Sequence, residues 1–409
     1  MGADRVSRRL SLDGEWTIEL GGETLPIVVP FTFEAPLSGI GRGDEVHERV
    51  RYRRTFRVPH AWNGARVRLH FGAVDWRATV FVDGAEVGTH SGGYTHFSFD
   101  LGALTGEHEL VVDVEDPADG YQPRGKQRGR GGIWYTRATG IWQPVWLEAD
   151  APAVAAEPAP ARRIEAREGR ILLDGEPRRI AGVLDQAYWP DGVYTAPSDA
   201  ALRADVEAAQ AFGFDLARMH VKVADARWYD WCDRLGLLVA QDIPSPLRLD
   251  TAEARANFVR EVDEIVAQLL RHPSVVIWVL FNEDWGEPPE EFQRELVRHV
   301  RELDPDRLVI DASGWKHRGV GDLRDVHDYG ADLSAHERVW VGECGGVSLV
   351  AGGEEDFAYR HVESGNALAQ EHARLVGTLG DVAGFVWTQL ADVEEERNGL
   401  LRADRVPKL

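Results

Sequence analysis

Residues 276–286 read VIWVLFNEDWG. Val276 to Phe281 are suited to a buried strand, and they run straight into an amide, two carboxylates and an indole. A continuous apolar run bounded by polar residues, rich in β-branched and aromatic side chains, reads as a strand covered on both faces. Whatever stands at the end of such a strand is held rigidly. Asn282 and Glu283 are therefore the first candidates for chemistry.

Outward from this stretch the same rhythm recurs. Strand candidates fall at 180–185, 215–221, 237–243, 275–282, 308–312, 325–329, 339–343 and 383–389. Between them lie amphipathic segments. Leu202, Val206, Ala209 and Phe212 share one helical face, with Ser198 placed to cap its start and Gly213 just past its end. Phe258, Val262, Ile265 and Leu269 repeat the pattern, as do Phe292, Leu296, Val300 and Leu303. Strands alternating with helices over about 250 residues have the size and order of a (β/α)8 TIM barrel, although a doubly wound open sheet shares that order.

The strand ends favour the barrel, in which loops at the C-terminal ends build the site. The first strand delivers Asp185 and Gln186, with Tyr188 and Trp189 just after. The second delivers Arg218, His220 and Lys222, and the third Gln241 and Asp242. Asn282 and Glu283 end the fourth; Asp311 and Ser313 end the fifth, with Trp315 close behind. The sixth delivers His327, Asp328 and Tyr329, the seventh Glu343, and the eighth Trp387, Thr388 and Gln389. Strands four and seven stand opposite each other in a barrel, so Glu283 and Glu343 face across its mouth. Facing carboxyls suit hydrolysis of a glycosidic bond, one protonating the leaving group and the other attacking or activating water. Trp285, Trp315 and Trp387 add flat faces for a sugar ring. An open sheet would not gather these ends around one axis.

From Gly14 to Ala149 the pattern changes to short period-two runs such as EWTIEL, RYRRTFRV and HELVVDVED, with Asp83-Gly84 set for a tight hairpin turn. This predicts an antiparallel β-sandwich over 1–149. An Ala/Pro linker at 150–161 separates it from the barrel at 162–409. The segment 118–140, rich in Gly and Arg, is too long for a routine loop; it either closes over the barrel mouth or covers a sheet edge.

Composition narrows the partners. A net charge of −22 disfavours nucleic acid and anionic membrane, and 44% hydrophobic residues in 409 suffice for more than one core. Cys232 and Cys344 lack metal or disulfide spacing, and neither a signal-like apolar core nor a membrane-length run is present. The expectation is a cytoplasmic protein with a small-molecule partner, its assembly into a homo-oligomer left open.

Four stretches carry a resemblance: FNE at 281–283, VHDY at 326–329, GECGG at 342–346 and FVWTQL at 385–390. Together with VDWRATVFVDGAEVG at 74–88 and GIWYTRATGIWQPVWLEA at 132–149, they make the chain resemble glycoside hydrolase family 2, the β-galactosidases, β-glucuronidases and β-mannosidases. The resemblance implies a jelly-roll sugar-binding domain before the TIM barrel, and a retaining exo-β-glycosidase. Glu283 would be the acid/base, Glu343 the nucleophile and Asn282 the amide on the sugar 2-hydroxyl. Tyr329 would contact the nucleophile, Arg218 would hold it ionised, and Trp387 would line the sugar subsite.

Asp185, His220, His327, Trp315 and Lys222 complete the candidate substrate contacts. The two histidines equally suit structural roles, and Lys222 equally suits solvent. Two departures from the family stand out: no immunoglobulin-like middle domain, and no closing barrel helix evident after strand eight, so that either the helix is missing or something else covers that face. The N-terminal domain or a second subunit is then a candidate to cover that flank. Family metal ligands are not recognisable, and no metal or cofactor is expected. The alternative function is a carbohydrate-binding protein that keeps the pocket but turns over little.

Overall fold

The computed structural model describes residues 8–150, 162–349 and 357–409. These form two compact units. One takes residues up to 119 together with 136–150 and 191–197; the other takes 120–135, 162–190 and the described residues from 198 onward. The Ala/Pro stretch lies outside the described residues, apart from Asp150.

The first unit is a β-sandwich of two antiparallel sheets. One has four strands in the order Arg9–Ser11, Val145–Ala149, Arg66–Phe71, Phe97–Ala103. The other has six, in the order Glu23–Val29, Gly14–Leu20, Arg49–Val58, Gly106–Glu115, Arg77–Val82, Ala85–Ser91. Period two works as expected: Val50, Tyr52, Phe56 and Val58 point into the core beside Trp16, Ile18 and Val112. Asp83 and Gly84 form the hairpin turn, both at positive φ. Pro26 masks the strand Glu23–Val29 in the sequence. It is tolerated because that strand lies at the edge of its sheet.

In the second unit eight parallel strands form a nearly closed barrel: β1 (Ile180–Asp185), β2 (Leu216–Met219), β3 (Leu238–Asp242), β4 (Val275–Val279), β5 (Leu308–Ile310), β6 (Asp325–Asp328), β7 (Trp340–Gly345) and β8 (Gly384–Thr388). The order β5-β4-β3-β2-β1-β8-β7-β6 leaves one unpaired seam, between β5 and β6. Side chains bridge it: Ser313 Oγ donates to Asp325 Oδ2 at 2.9 Å, and His317 bonds the Asp325 carbonyl. Five helices accompany the strands among the described residues: α1 (Asp199–Ala211), α2 (Ala226–Leu235), α3 (Ala252–Leu269), α4 (Glu290–Leu303) and α5 (Gly365–Thr378). Ser198 caps α1 as expected, its Oγ accepting from the Ala201 amide at 3.1 Å. Leu303, expected on the buried face of α4, is exposed at the helix end. No helix separates β5 from β6 or β6 from β7 among the described residues.

Two features fill gaps left by the pattern. A three-stranded meander (Ile164–Arg167, Arg170–Leu173, Glu176–Arg178) precedes β1, and its Ile164, Ile171 and Leu173 join the cluster of Ile180, Leu216, Leu238, Ile277 and Ile310 inside the barrel. It plugs the barrel core. No third unit intervenes between Ala149 and this meander among the described residues, so the immunoglobulin-like middle domain is absent. After β8 the chain forms no helix; residues 389–409 fold back instead, Arg405 pairing with Asp205 of α1 at 2.9 Å and Lys408 with Asp392 at 2.6 Å. Among the described residues, no helix is long and apolar enough to cross a membrane.

Ile171 is fully buried in the plug. Ile171→Ala should lower the unfolding free energy by about 2–5 kcal/mol, read from the urea midpoint at unchanged slope.

Candidate active site

The site is organised by a buried guanidinium. Arg218, in β2, donates Nε to Asp242 Oδ1 (2.9 Å) and Nη2 to Asp242 Oδ2 (2.9 Å), a fork-to-fork pair with the end of β3. Its Nη1 donates to the Gly342 carbonyl at 3.0 Å and to Glu343 Oε1 at 3.3 Å, and Nη2 also reaches Asn282 Oδ1 at 3.0 Å. One side chain thus ties together the ends of β2, β3, β4 and β7. Arg218 and Asp242 have almost no solvent exposure. Burial opposes both charges, yet each group holds the other ionised: Asp242 is driven below, and Arg218 above, its ordinary pKa.

Glu343 sits at the centre of this arrangement. Burial would raise its pKa, but His327 and Arg218, helped by His220 and the Tyr329 hydroxyl, outweigh it and hold the carboxyl down to about 2. Oε1 faces Arg218 and His327 Nε2, the latter at 3.5 Å, while Oε2 accepts from the Tyr329 hydroxyl. Tyr329 also meets Thr388 Oγ1 at 3.4 Å and stacks on Tyr359 with ring centroids 3.5 Å apart. The last two glycines of the GECGG motif have a steric origin. Both Gly345 and Gly346 have positive φ; a Cβ on Gly345 would come within 2.7 Å of the Trp387 ring, and one on Gly346 within 2.5 Å of Tyr359.

Glu283 lies across the mouth. It follows β4 at a φ of 55°, with its amide donating to the Ser313 carbonyl at 2.7 Å. Asn282 bridges to Ser313, which carries the β4–β5 pairing to the site. Glu283 Oε1 is 3.1 Å from His327 Nδ1, and His327 Nε2 is 2.7 Å from Ser313 Oγ. Burial works against a charge on His327, but Glu343, Glu283 and Asp325 raise its pKa. An oxygen of each glutamate and a His327 ring nitrogen all lie within 4.8 Å of one another. That spacing alone would suit a cation, but the Arg218 guanidinium and the Tyr329 hydroxyl already occupy the Glu343 oxygens.

The remaining candidates divide. His220 Nδ1 meets Asp242 Oδ2 at 2.8 Å; burial lowers its pKa, and its ring stands edge-on to Trp285. Trp315, 47% exposed, stands edge-on to His327 at 5.7 Å. Trp387 is wholly buried, with its ring against His372, so it forms floor beneath Gly345. Asp185 and Lys222 meet around Ala187: the carboxylate accepts from the Ala187 amide at 2.8 Å and the ammonium donates to its carbonyl, above the Tyr188 ring. Burial, with Asp205 beside it, lifts Asp185 to about 6, and burial pushes Lys222 well down. Asp311 accepts from the Arg318 amide at 2.7 Å and Asp284 pairs with Lys316 at 3.3 Å. The Cys344 thiol, raised by burial, turns to the Val386 carbonyl.

Three participants escaped sequence reasoning. Tyr359 lies in a stretch without periodicity. Asp325 looked like the start of a strand rather than a seam. Lys126 joins from far upstream: its Nζ is 2.8 Å from Glu396 Oε2, which also accepts from the Tyr135 hydroxyl. The acidic run at 394–396, which suits a solvated loop or one that reaches toward the site after strand eight, contains a buried member, Glu396.

Arg218→Met would leave Asp242 and Glu343 without their cation. Removing one partner from a buried pair should cost about 3–5 kcal/mol at pH 7. Glu343 is depressed in the folded state, so its contribution is present above the ordinary value of 4.5 and is lost as pH falls toward about 2. The wild-type advantage should therefore shrink below pH 4.5, as urea titrations across pH will read.

Two family models match the chain: the sugar-binding domain of glycosyl hydrolases family 2 over residues 5–147, and the TIM barrel domain of that family over 195–328. A β-galactosidase of Enterobacter cloacae is 26% identical over 170 residues, 40% of this chain and 16% of that protein. A β-glucuronidase of Paenibacillus borealis is 34% identical over 94 residues, 22% of this chain and 16% of that protein. Each match thus spans a small part of the relative's length. Among solved structures, a β-glucuronidase of an uncultured Clostridium sp. superposes with a TM-score of 0.82 at 16% identity, covering 100% of this chain and 97% of that one. A β-galacturonidase of Eisenbergiella tayi bound to galacturonate gives 0.77 at 17% identity, covering 98% and 95%. At those identities the likeness speaks for the fold alone. With the two models in the family's own order, on a sandwich and a barrel that carry its motifs at the strand ends, the chain belongs to glycosyl hydrolase family 2.

Proposed function

We propose that the protein is a retaining exo-β-glycosidase that hydrolyses terminal β-linked sugars by double displacement, with Glu343 as nucleophile and Glu283 as acid/base. The observation that carries this reading is the approach of the two carboxylates, with an oxygen of each within 4.8 Å of the other. Retaining enzymes hold the pair at about 5–5.5 Å, whereas inverting ones need roughly 6.5–9.5 Å to fit a water between them.

The division of labour follows from the surroundings. A nucleophile must be ionised, and Glu343 is held to about 2 by His327 and Arg218 against its burial. Attack on the anomeric carbon forms the Glu343–sugar ester as the glycosidic bond breaks. Glu283 gives its proton to the departing oxygen. Water then attacks the ester, losing its proton to Glu283, and Glu343 is regenerated. His327, bonded to Glu283 and close to Glu343, is placed to respond as negative charge moves between them. Arg218 donates to Asn282 Oδ1, which leaves the Asn282 NH2 to donate to a sugar hydroxyl.

A panel of aryl β-glycosides tests the reading. At least one sugar should be turned over, with the first-formed anomer β by NMR. Glu343→Gln should abolish turnover, and Glu283→Gln should slow substrates with poor leaving groups by roughly 10²–10⁴-fold. An inverted product, an active Glu343→Gln, or folded protein inert toward every sugar would sink it. Sugar binding by calorimetry without turnover would select a carbohydrate-binding protein instead.

A further inference from the structure

We propose that Trp134, with Trp285, forms a wall on the aglycone side of the site that receives a ring with a flat apolar face, either an aryl group or a second pyranose. The proposal rests on Glu283 being the proton donor: the glycosidic oxygen must reach that residue, so what lies beyond it is the leaving group.

Residues 120–135 interrupt the sandwich sequence but belong to the barrel unit. They attach along two loops at the C-terminal ends of strands. After β3, the Leu247 and Arg248 amides donate to the Gly120 carbonyl at 2.9 and 3.0 Å, and the Arg124 and Gly125 amides donate to the Ser245 carbonyl at 3.2 and 3.0 Å. After β8, Lys126 and Tyr135 bond Glu396, and the Gly132 amide donates to Glu395 Oε2 at 2.9 Å. The segment therefore spans the mouth from the β3 side to the β8 side. Its root is locked, since Lys126, Tyr135 and Glu396 are all buried.

The tip is different in character. Gly131 and Trp134 pair in a tight turn that presents the Trp134 ring, only partly covered, to Trp285 at a centroid distance of 4.8 Å and an angle of 37°. Trp285, also partly exposed, follows Glu283 by two residues, and the Trp285 amide donates to the Asn282 carbonyl at 3.0 Å. Arg128 lies over the other indole at 5.1 Å. Partly exposed indoles beside a proton donor, held by a buried ion pair, suit stacking on a flat ring. The opposite side, around Glu343, is built from Tyr329, Tyr359 and Thr388, which leaves the indoles to the leaving group.

The test compares Trp134→Ala and Trp134→Phe with wild type on substrates that share one sugar: an aryl β-glycoside, a disaccharide and a β-glycosyl fluoride, whose leaving group has no ring. With melting temperatures checked, Trp134→Ala should lower kcat/KM for a ring-bearing substrate, relative to the fluoride, by about tenfold, mainly through KM. Phe should restore most of it. A selective loss on the aryl glycoside identifies an aromatic aglycone, and one on the disaccharide a second sugar. Equal losses on all three, or no loss, overturn the wall and mark the contact as a fastener for the loop. A binding arm keeps this separate from the catalytic reading. Should wild type turn over nothing, calorimetry with phenyl and methyl β-thiogalactosides and β-thioglucuronides still decides, because the wall requires Trp134→Ala to weaken the phenyl ligands selectively, again about tenfold.

Discussion

The site depends on a guanidinium with no access to water. Arg218 has to find every partner inside the barrel, and it finds them at the ends of three other strands: Asp242, Asn282, and the Gly342 carbonyl with Glu343. A buried charge of this kind is costly unless its donors are used, and the planar fork leaves little latitude in where the acceptors stand. The strands are thereby fixed relative to one another at the level where chemistry happens. Lysine would supply the charge but not the geometry. The chain is rich in arginine and has only four lysines, so the choice here agrees with its general habit while meeting a specific need.

The opposite side of the mouth is solved differently. Between β5 and β6 the backbone ladder is missing, and Ser313, His317 and Asp325 replace it with side-chain bonds. The bridge leads directly to His327, which takes the Ser313 hydroxyl on one nitrogen and Glu283 on the other. A seam closed by side chains can carry an ionisable ring where a backbone ladder would carry only amides. Arg218 and His327 act on Glu343 from two directions, and their joint effect overcomes the desolvation of that carboxylate.

Much of this was legible in the sequence because it follows from short-range rules. Most of the barrel strands are apolar runs ending in polar residues, β6 (Asp325–Asp328) being the exception, and Glu283, Glu343, Arg218, Asn282, Tyr329 and His327 all read as strand-end residues. The structure gathers these six. What stayed hidden lacks a local signature. The plugging meander is too short to show a period, and Pro26 disguises an edge strand. Trp387 ends its strand like the others, and only its depth beneath Gly345 shows that it is floor. Asp185 and Lys222 are strand-end residues too, but their partners at Ala187 come from a local bend that no pattern announces. Lys126 and Glu396 are 270 positions apart, a separation at which neither residue carries any trace of the other.

That separation also bears on how the molecule is made. The segment carrying Lys126 and Tyr135 leaves the ribosome with the sandwich, whereas Glu396 follows 270 residues after Lys126. Until Glu396 arrives, the lysine has no counter-charge and the segment no anchor beyond β3. Closing so long a loop is entropically opposed. A polypeptide beginning at residue 162 would meet the reverse problem, with a carboxylate destined for burial and neither the ammonium nor the phenol to meet it. The boundary that the chain suggests on paper thus separates residues that the folded barrel unit holds together.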